Sequence, residues 1–208
     1  MLLTDKQQDA LTELINIAFA RTAASLAQLS GHRVRLDVPD IQMYAIDELP
    51  AAVATLITEE IATVHQIFTG PVSGDALLLL NYQGAVTLTD LLTGSPLPRA
   101  RMDASAREAL TEIGNILLNA CLGMFGNLLK VQVTFSMPRL HMDNLDQLLR
   151  SITIGSEELR YAVVVSTAFH VKESAISGYL IIVLGVSSLD RLIHAVESWE
   201  NASRAGAG

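Results

Sequence analysis

Cysteine, aromatic residues and charged residues are all scarce in this chain of 208 residues. The one cysteine, Cys121, excludes an intramolecular disulfide and fits a reducing compartment. Aromatic residues make up 5% and charged residues 17%, whereas 50% of the residues are hydrophobic. A chain of this composition must bury much of its length, which indicates a globular protein with a core of real size.

The sequence also lacks long apolar runs and basic runs. The longest apolar stretch, around Tyr179 to Val186, is far shorter than the roughly 20 residues of a membrane-spanning helix. The N-terminus does not have the basic and then apolar order of a secretory signal. The net charge is −8 and the sequence has no basic stripe, and both observations argue against nucleic-acid binding. We therefore expect a cytoplasmic protein with no membrane insertion and no nucleic-acid partner.

Motifs that hold metals or cofactors are missing as well. No two of the five histidines have the spacing of a metal-binding pair, and one cysteine is too few for a structural zinc site. The sequence has no nucleophile elbow, no Walker A loop and no dinucleotide-binding glycine motif. Cys121 falls on the apolar side of a predicted helix, which favours a buried, inert thiol. We expect no metal and no cofactor on this chain.

A long amphipathic helix opens the chain, and a strand follows it. Thr4 or Asp5 predicts the helix start, with Gln7 or Gln8 completing a capping box, and Ser30-Gly31 predicts its end. The apolar stripe of this helix is Leu11, Leu14, Ile15, Ala18, Phe19, Thr22, Leu26 and Leu29. The following segment alternates, and it predicts a half-buried strand that ends at Pro39, with Val34, Leu36 and Val38 facing inward.

The same plan recurs 99 residues later. Asp103 or Ser105 caps a second long helix, which is followed by an alternating segment that ends at Pro138. The inward residues predicted there are Val131, Val133, Phe135 and Met137. One shift relates Glu13 to Glu112, Asn16 to Asn115 and Pro39 to Pro138. An equal shift across a helix and a strand indicates an internal repeat.

The rest of each half is also similar. Segments that begin at Ser73 and Ser177 each predict an apolar strand followed by a helix, and further strands are predicted at 61–68 and 159–171, with short helices at 49–57 and 144–151. The prediction is an α/β (α+β) fold of two pseudo-symmetric repeats that share a central β-sheet, with two long exposed helices. We assign one domain over 1–208: repeat 1 about 1–98, repeat 2 about 99–200, and a frayed tail at 201–208. The two-proline segment 93–101 joins the repeats.

Acidic and amide residues share the solvent side of each long helix. At about 100° per residue, Asp9, Glu13 and Asn16 fall on one face, and Glu108, Glu112 and Asn115 repeat the arrangement. An amide is no general base, but it can hold a water by accepting one hydrogen bond and donating another. That serves phosphoryl transfer, where an orienting group places the attacking water. A single Glu–Asn pair would be ordinary surface decoration, whereas two matched pairs in mid-helix, where asparagine is disfavoured, point to function.

The full pattern is Asp9-x3-Glu13-x2-Asn16-x22-Pro39, repeated as Glu108-x3-Glu112-x2-Asn115-x22-Pro138. It resembles the signature of the CheC/CheX/FliY family of chemotaxis phosphatases. Two copies without an appended flagellar-switch domain resemble CheC rather than CheX or FliY.

The resemblance implies a phosphatase that hydrolyses the aspartyl phosphate of a CheY-like response regulator. Asn16 or Asn115 would position the hydrolytic water, and Glu13 or Glu112 would pair with the regulator's conserved lysine. Asp9, Glu108, Pro39 and Pro138 would support the motif. Mg²⁺ would belong to the phosphorylated partner, and the deamidase CheD is implied as a further partner.

Two departures leave the relative strength of the sites open. Glu108 stands where the family has Asp or Ser, and Phe19-Ala20 stands where members often have glycines. The main alternative is a receiver-binding adaptor, in chemotaxis or another two-component pathway, that has lost most activity. A structural component of a flagellar switch is a third possibility, and the missing switch domain argues against it. Intact Glu–Asn pairs in both copies favour the enzyme.

Overall fold

The computed structural model describes residues 3–56, 60–94, 101–142, 149, 152, 160–171 and 174–206. The first half contains α1 (Asp5–Ser30), β1 (Val34–Leu36), β2 (Asp40–Ala45), α2 (Leu49–Leu56), β3 (Ile61–Thr69), β4 (Gly74–Asn81) and α3 (Tyr82–Thr93). The second half contains α4 (Ala104–Leu129), β5 (Thr134–Phe135), β6 (Arg139–His141), β7 (Arg160–Val171), β8 (Ser174–Gly185) and α5 (Val186–Gly206). The short helix expected at 144–151 lies almost entirely outside the described residues.

The strands of both halves join one antiparallel sheet. Its order is β1-β7-β8-β4-β3-β5, with β2 also paired to β7 and β6 to β3. The middle is formed by one strand from each half, β4 and β8, where Leu77 faces Ile181. Each half also places its two short strands on the other half's hairpin, since β1 and β2 pair with β7 whereas β5 and β6 pair with β3. The predicted fold class, with two repeats sharing a central sheet, is confirmed.

The sheet is covered on both faces, which explains its apolar central strands. The larger core lies under α1, α3, α4 and α5, whose apolar side chains pack on residues such as Leu78, Leu80 and Ile182. The opposite face carries a smaller core in which α2 packs its Leu49 and Val53 near Leu77 and Leu79. Alternate residues of β4 therefore serve different cores, so the run from Leu77 to Leu80 has no polar member.

Both long helices begin where their sequences predict, and α1 also ends there. Thr4 accepts a hydrogen bond from the Gln7 backbone amide, and the Gln7 side chain closes the capping box. Gly31 ends α1 in the left-handed conformation with φ 67°, which an L side chain rarely adopts. Asp103 caps α4 by accepting from the Ala106 amide. The described side chains of the α1 stripe are buried.

Helix α4 is long and apolar enough to cross a membrane by length and composition alone, contrary to the expectation that no apolar stretch reaches that length. In the structure one side of α4 is buried in the core through Leu110, Leu117 and Leu118. Its other side exposes Glu108 and Glu112. A helix that is buried on one side and charged on the other is typical of the core of a globular fold.

Two residues predicted to face inward are exposed. Val38 is 70% exposed and Met137 is 86% exposed, so that part of the strand prediction is wrong. Strands β1 and β5 stop at Leu36 and Phe135. A proline has no N–H group to donate to the hydrogen-bond ladder between strands, and it holds the residue before it in an extended conformation. The alternation of inward and outward side chains therefore does not continue to Val38 and Met137.

Pairing resumes directly after each proline, in two strands that the sequence analysis did not predict. β2 pairs Asp40 with Ser166, and β6 pairs Arg139 with His65. The alternation of Ile41 and Met43 with polar neighbours was the available signal.

The chain end differs from the prediction. Residues 201–206, expected as a frayed tail, are the last part of α5. Alanine and arginine are strong helix formers, so Ala202, Arg204 and Ala205 favour continuation of the helix. Most of the predicted joint at 93–101 lies outside the described residues. The single domain and its repeat boundary therefore stay predictions.

Candidate functional site

The first motif lies on the solvent side of α1. Asp9, Glu13 and Asn16 are all exposed, whereas Leu14 and Ile15 between them are buried. Thr12 donates its hydroxyl to the Gln8 carbonyl and so stays within the helix. Among the described residues, none forms a hydrogen bond with the Asn16 side chain. The carboxylate and the amide of this motif are thus both open to an approaching partner.

The second motif lies on α4, which packs against α1. Glu108 and Glu112 are exposed, but Asn115 is half-buried. The Asn115 Oδ1 atom accepts a hydrogen bond from Asn119 Nδ2 at 2.8 Å and a longer one from Gln66 Nε2 at 3.4 Å. The two asparagines of the repeated motif therefore occupy different surroundings.

Both prolines lie beside anchored segments. Ahead of Pro39, Asp37 donates its backbone amide to the Ala168 carbonyl at 3.0 Å and accepts from Thr167 Oγ1 at 3.0 Å. Ahead of Pro138, Ser136 donates its amide to the Ile67 carbonyl at 2.9 Å, and its carbonyl accepts from Gln66 Nε2 at 2.9 Å. The same two anchors hold both segments to the sheet, with Thr167 in the place of Gln66.

The structure joins the parts of the second motif more closely than those of the first. Gln66 bridges Asn115 and the backbone ahead of Pro138. Within the described residues, no such bridge links Asn16 to the segment ahead of Pro39. Asp9 and the motif glutamates lie on the same helix faces as Asn16 and Asn115. Within the described residues no hydrogen bond joins them to these asparagines. Sequence reasoning did not single out Gln66, because the strand pattern marks it only as one polar residue of β3.

Exposed apolar side chains accompany both motifs. In the described part of the chain, the large hydrophobic residues that are exposed are Ile17, Val38, Ile67 and Met137. Ile17 follows Asn16, Val38 and Met137 precede the two prolines, and the Ile67 backbone pairs with Ser136. Scattered exposed apolar residues are normal, but each of these four lies next to a motif residue or to the strand segment that precedes a motif proline, as expected of a contact surface. The sequence analysis missed Val38 and Met137 because it assigned them to the core, and it did not single out Ile17 or Ile67.

Polar and charged side chains lie beside the segment before Pro39. His170 Nε2 lies 2.7 Å from one carboxylate oxygen of Asp37, and Arg35 lies 3.4 Å from the other. The hydrogen bond to His170 holds the pKa of the Asp37 carboxyl below its usual value. Asp37 therefore stays ionised at neutral pH and ties this segment to β7.

Other chemistry finds little support in the described residues. No group of three or more His, Cys, Asp or Glu side chains is arranged there to hold a metal ion. Cys121 is fully buried, and burial raises the pKa of its thiol to about 12. The predicted burial of Cys121 on the apolar side of the helix is thereby confirmed.

No protein-family model matches the chain. A curated relative, the CheY-P phosphatase CheC of Bacillus subtilis, is 24% identical over 170 residues, which cover 80% of this chain and 81% of that protein. Among solved structures, Thermotoga maritima FliY superposes with a TM-score of 0.77 at 19% identity, over 95% of this chain and 99% of that one. The middle domain of FliM from H. pylori gives 0.66 at 10% identity, over 93% and 99%.

The sequence similarity is to CheC and the fold is that of FliY, so the chain is similar to members of the CheC/CheX/FliY family of chemotaxis proteins. Its curated similarity is to CheC, and its length corresponds to most of that protein. The resemblance predicted from the two motifs is therefore confirmed. The likeness to FliY and FliM shows a shared fold and does not by itself distinguish enzyme from switch component.

Proposed function

We propose that this protein hydrolyses the aspartyl phosphate of a CheY-like response regulator. The observation that carries the proposal is the pair of Glu–Asn motifs, with both glutamates exposed on matched positions of α1 and α4. Similarity to a CheY-P phosphatase over most of the chain supports it.

Hydrolysis of an aspartyl phosphate requires mainly that this chain position the reacting groups. An aspartyl phosphate is already reactive, and the regulator would supply Mg²⁺ to neutralise its charge. The amide of Asn16 or Asn115 would accept a hydrogen from the attacking water and hold it in line with phosphorus. Glu13 or Glu112 would pair with a lysine of the regulator and set the approach of the helix. Orientation of this kind is a recognised source of rate enhancement.

The exposed apolar residues would help the regulator to dock. Ile17 and Val38 accompany the first motif, and Ile67 and Met137 accompany the second. Apolar side chains at the centre of an interface, surrounded by polar groups, contribute much of the binding energy. Both proteins would act in the cytoplasm. A CheD partner stays a prediction.

The test is phosphate release from a Mg²⁺-loaded, phosphorylated CheY-like receiver domain. The wild-type chain should accelerate release, and the double substitution Asn16→Ala/Asn115→Ala should reduce the rate by roughly 10²–10³-fold, as for the loss of a prepositioned polar group. Asn127→Ala is the matched control, since Asn127 is an exposed asparagine of α4 outside the motif. Its rate should equal that of the wild type.

Two outcomes would count against the enzyme. A double variant with normal activity would contradict the role of the asparagines. Binding of the phosphorylated receiver without acceleration would favour the adaptor function instead.

A further inference from the structure

The two asparagines of the repeated motif differ in which of their amide atoms is available. Asn16 is exposed, and within the described residues neither end of its amide has a hydrogen-bond partner. Asn115 directs its Oδ1 toward Asn119 and Gln66, which both donate to it. Since a carbonyl oxygen has two acceptor positions, the acceptor end of Asn115 is occupied within the protein.

A backbone carbonyl dictates this orientation. The Gln66 Nε2 atom donates to the Ser136 carbonyl at 2.9 Å, and a carbonyl only accepts. The NH₂ end of Gln66 is therefore the end that lies near Asn115, and Asn115 must meet it with its oxygen. Asn119 adds the second donor from one helical turn away. Gln66 is 2% exposed, so solvent does not compete for this arrangement.

The first site has neither donor. The position that corresponds to Asn119 under the 99-residue shift is Ala20, which has no polar side-chain atom. The group that corresponds to Gln66 is Thr167, whose one hydroxyl hydrogen goes to the Asp37 carbonyl. Nothing in the described structure therefore turns the Asn16 oxygen inward.

The attacking water needs an acceptor. One of its two lone pairs must point at phosphorus, and an acceptor for one of its hydrogens fixes that orientation. An asparagine that presents only N–H groups can bind the other lone pair, but it leaves both hydrogens of the water without an acceptor and so does not fix the line of attack. The Asn115 oxygen must lose its hydrogen bond from Asn119 before it can accept one from the attacking water. The Asn16 oxygen can accept that hydrogen bond without such a step.

On the basis of the proposed function, we propose that the first site, with Asn16, carries most of the hydrolysis, and that Asn119 and Gln66 restrain the second site. Asn119 and Gln66 are positioning residues, since they act through Asn115. The expected penalty is roughly two- to tenfold in rate, the range that a net hydrogen bond supplies.

Reciprocal substitutions test the inference in the full chain, with phosphate release from a phosphorylated receiver as the readout. Asn16→Ala should lose more activity than Asn115→Ala. In the Asn16→Ala background, Asn119→Ala should raise the remaining rate two- to tenfold. In the Asn115→Ala background, Ala20→Asn should lower the rate by a similar factor. Each substitution installs the residue that the other helix already carries, so both variants should fold.

The steady-state parameters separate positioning from a structural effect. The Asn119→Ala and Ala20→Asn changes should appear in kcat, with the KM for the phosphorylated receiver unchanged. A larger loss from Asn115→Ala than from Asn16→Ala would overturn this inference and leave the proposed function standing. So would an Asn119→Ala substitution that fails to raise the second site's rate. No acceleration by any variant or by the wild type would defeat the proposed function itself.

Discussion

Asparagine is a poor residue for the middle of a helix, and this chain has one at the same place in both long helices. In host peptides, asparagine is less favourable for helix formation than alanine by up to roughly 0.7 kcal/mol per residue. At an exposed position nothing in the fold offsets that cost, which is characteristic of a residue kept for function. Because Asn16 and Asn115 have different environments, the effect of each asparagine on the free energy of unfolding can be predicted separately.

We expect alanine to have opposite effects on stability at the two positions. Asn16→Ala should raise the free energy of unfolding by about 0.5 kcal/mol, because it removes only a helix-disfavouring residue. Asn115→Ala should lower it by about 1 kcal/mol or more, because the half-buried Asn119 amide loses its acceptor. Urea unfolding followed by circular dichroism measures both values. Equal effects at the two positions would show that the network around Asn115 contributes no stability.

At the scale of elements, close contact between α4 and β3 sets the position of Asn115. Gly114 precedes Asn115, and a Cβ atom built on it would lie 2.7 Å from Val64. The corresponding residue of α1 is the buried Ile15, so the two helices meet the sheet differently. A glycine in mid-helix is normally a cost, and here it brings the helix within reach of Gln66.

Gly114→Ala should therefore destabilise the protein even though alanine is the better helix former. Overpacking of this kind typically costs about 1–3 kcal/mol. Gly123→Ala on the same helix is the control, because a Cβ there meets nothing within 4 Å. That control should gain up to about 1 kcal/mol from helix propensity. Thermal unfolding of the two variants decides the matter, and a stabilised Gly114→Ala would show that α4 has room to move away from Val64. Adding Val64→Ala should relieve the clash.

At the scale of the whole molecule, the two halves are interlocked through the sheet. Neither half keeps all its strands together, since β1 and β2 lie on the second half's β7 while β5 and β6 lie on the first half's β3. The central contact, β4 on β8, also joins the halves. Each half separated from the other would expose apolar strand edges and lose part of its core.

We therefore predict that fragments 1–94 and 101–208 do not fold as separate monomers. Co-expressed, they should form a one-to-one complex that unfolds in a single cooperative transition, because all the strand pairs are then restored. Size-exclusion chromatography and urea unfolding of each fragment and of the mixture provide the measurement. A fragment that unfolds cooperatively as a monomer would contradict both this prediction and the assignment of a single domain.

The sequence by itself determined the local structure and the place of the motifs. Helix boundaries followed from Thr4, Gly31 and Asp103, whose capping groups act within one turn of the chain. The faces of α1 and α4 followed from helical periodicity, and so did the candidate residues Glu13, Asn16, Glu112 and Asn115. These features depend on neighbours three or four positions away, which a sequence displays directly.

Only the tertiary structure decided what surrounds those residues. Gln66 and Ser136 lie 70 residues apart in the chain and meet because β3 pairs with the segment around β5. The exposure of Val38 and Met137 depends on where each short strand leaves the sheet. Strand register is set by packing between distant segments, and no local pattern encodes it. The difference between Asn16 and Asn115 arises only in part at that level: Gln66 reaches Asn115 through the packing of α4 on β3, whereas the contrast between Asn119 and Ala20 is four positions away in the sequence.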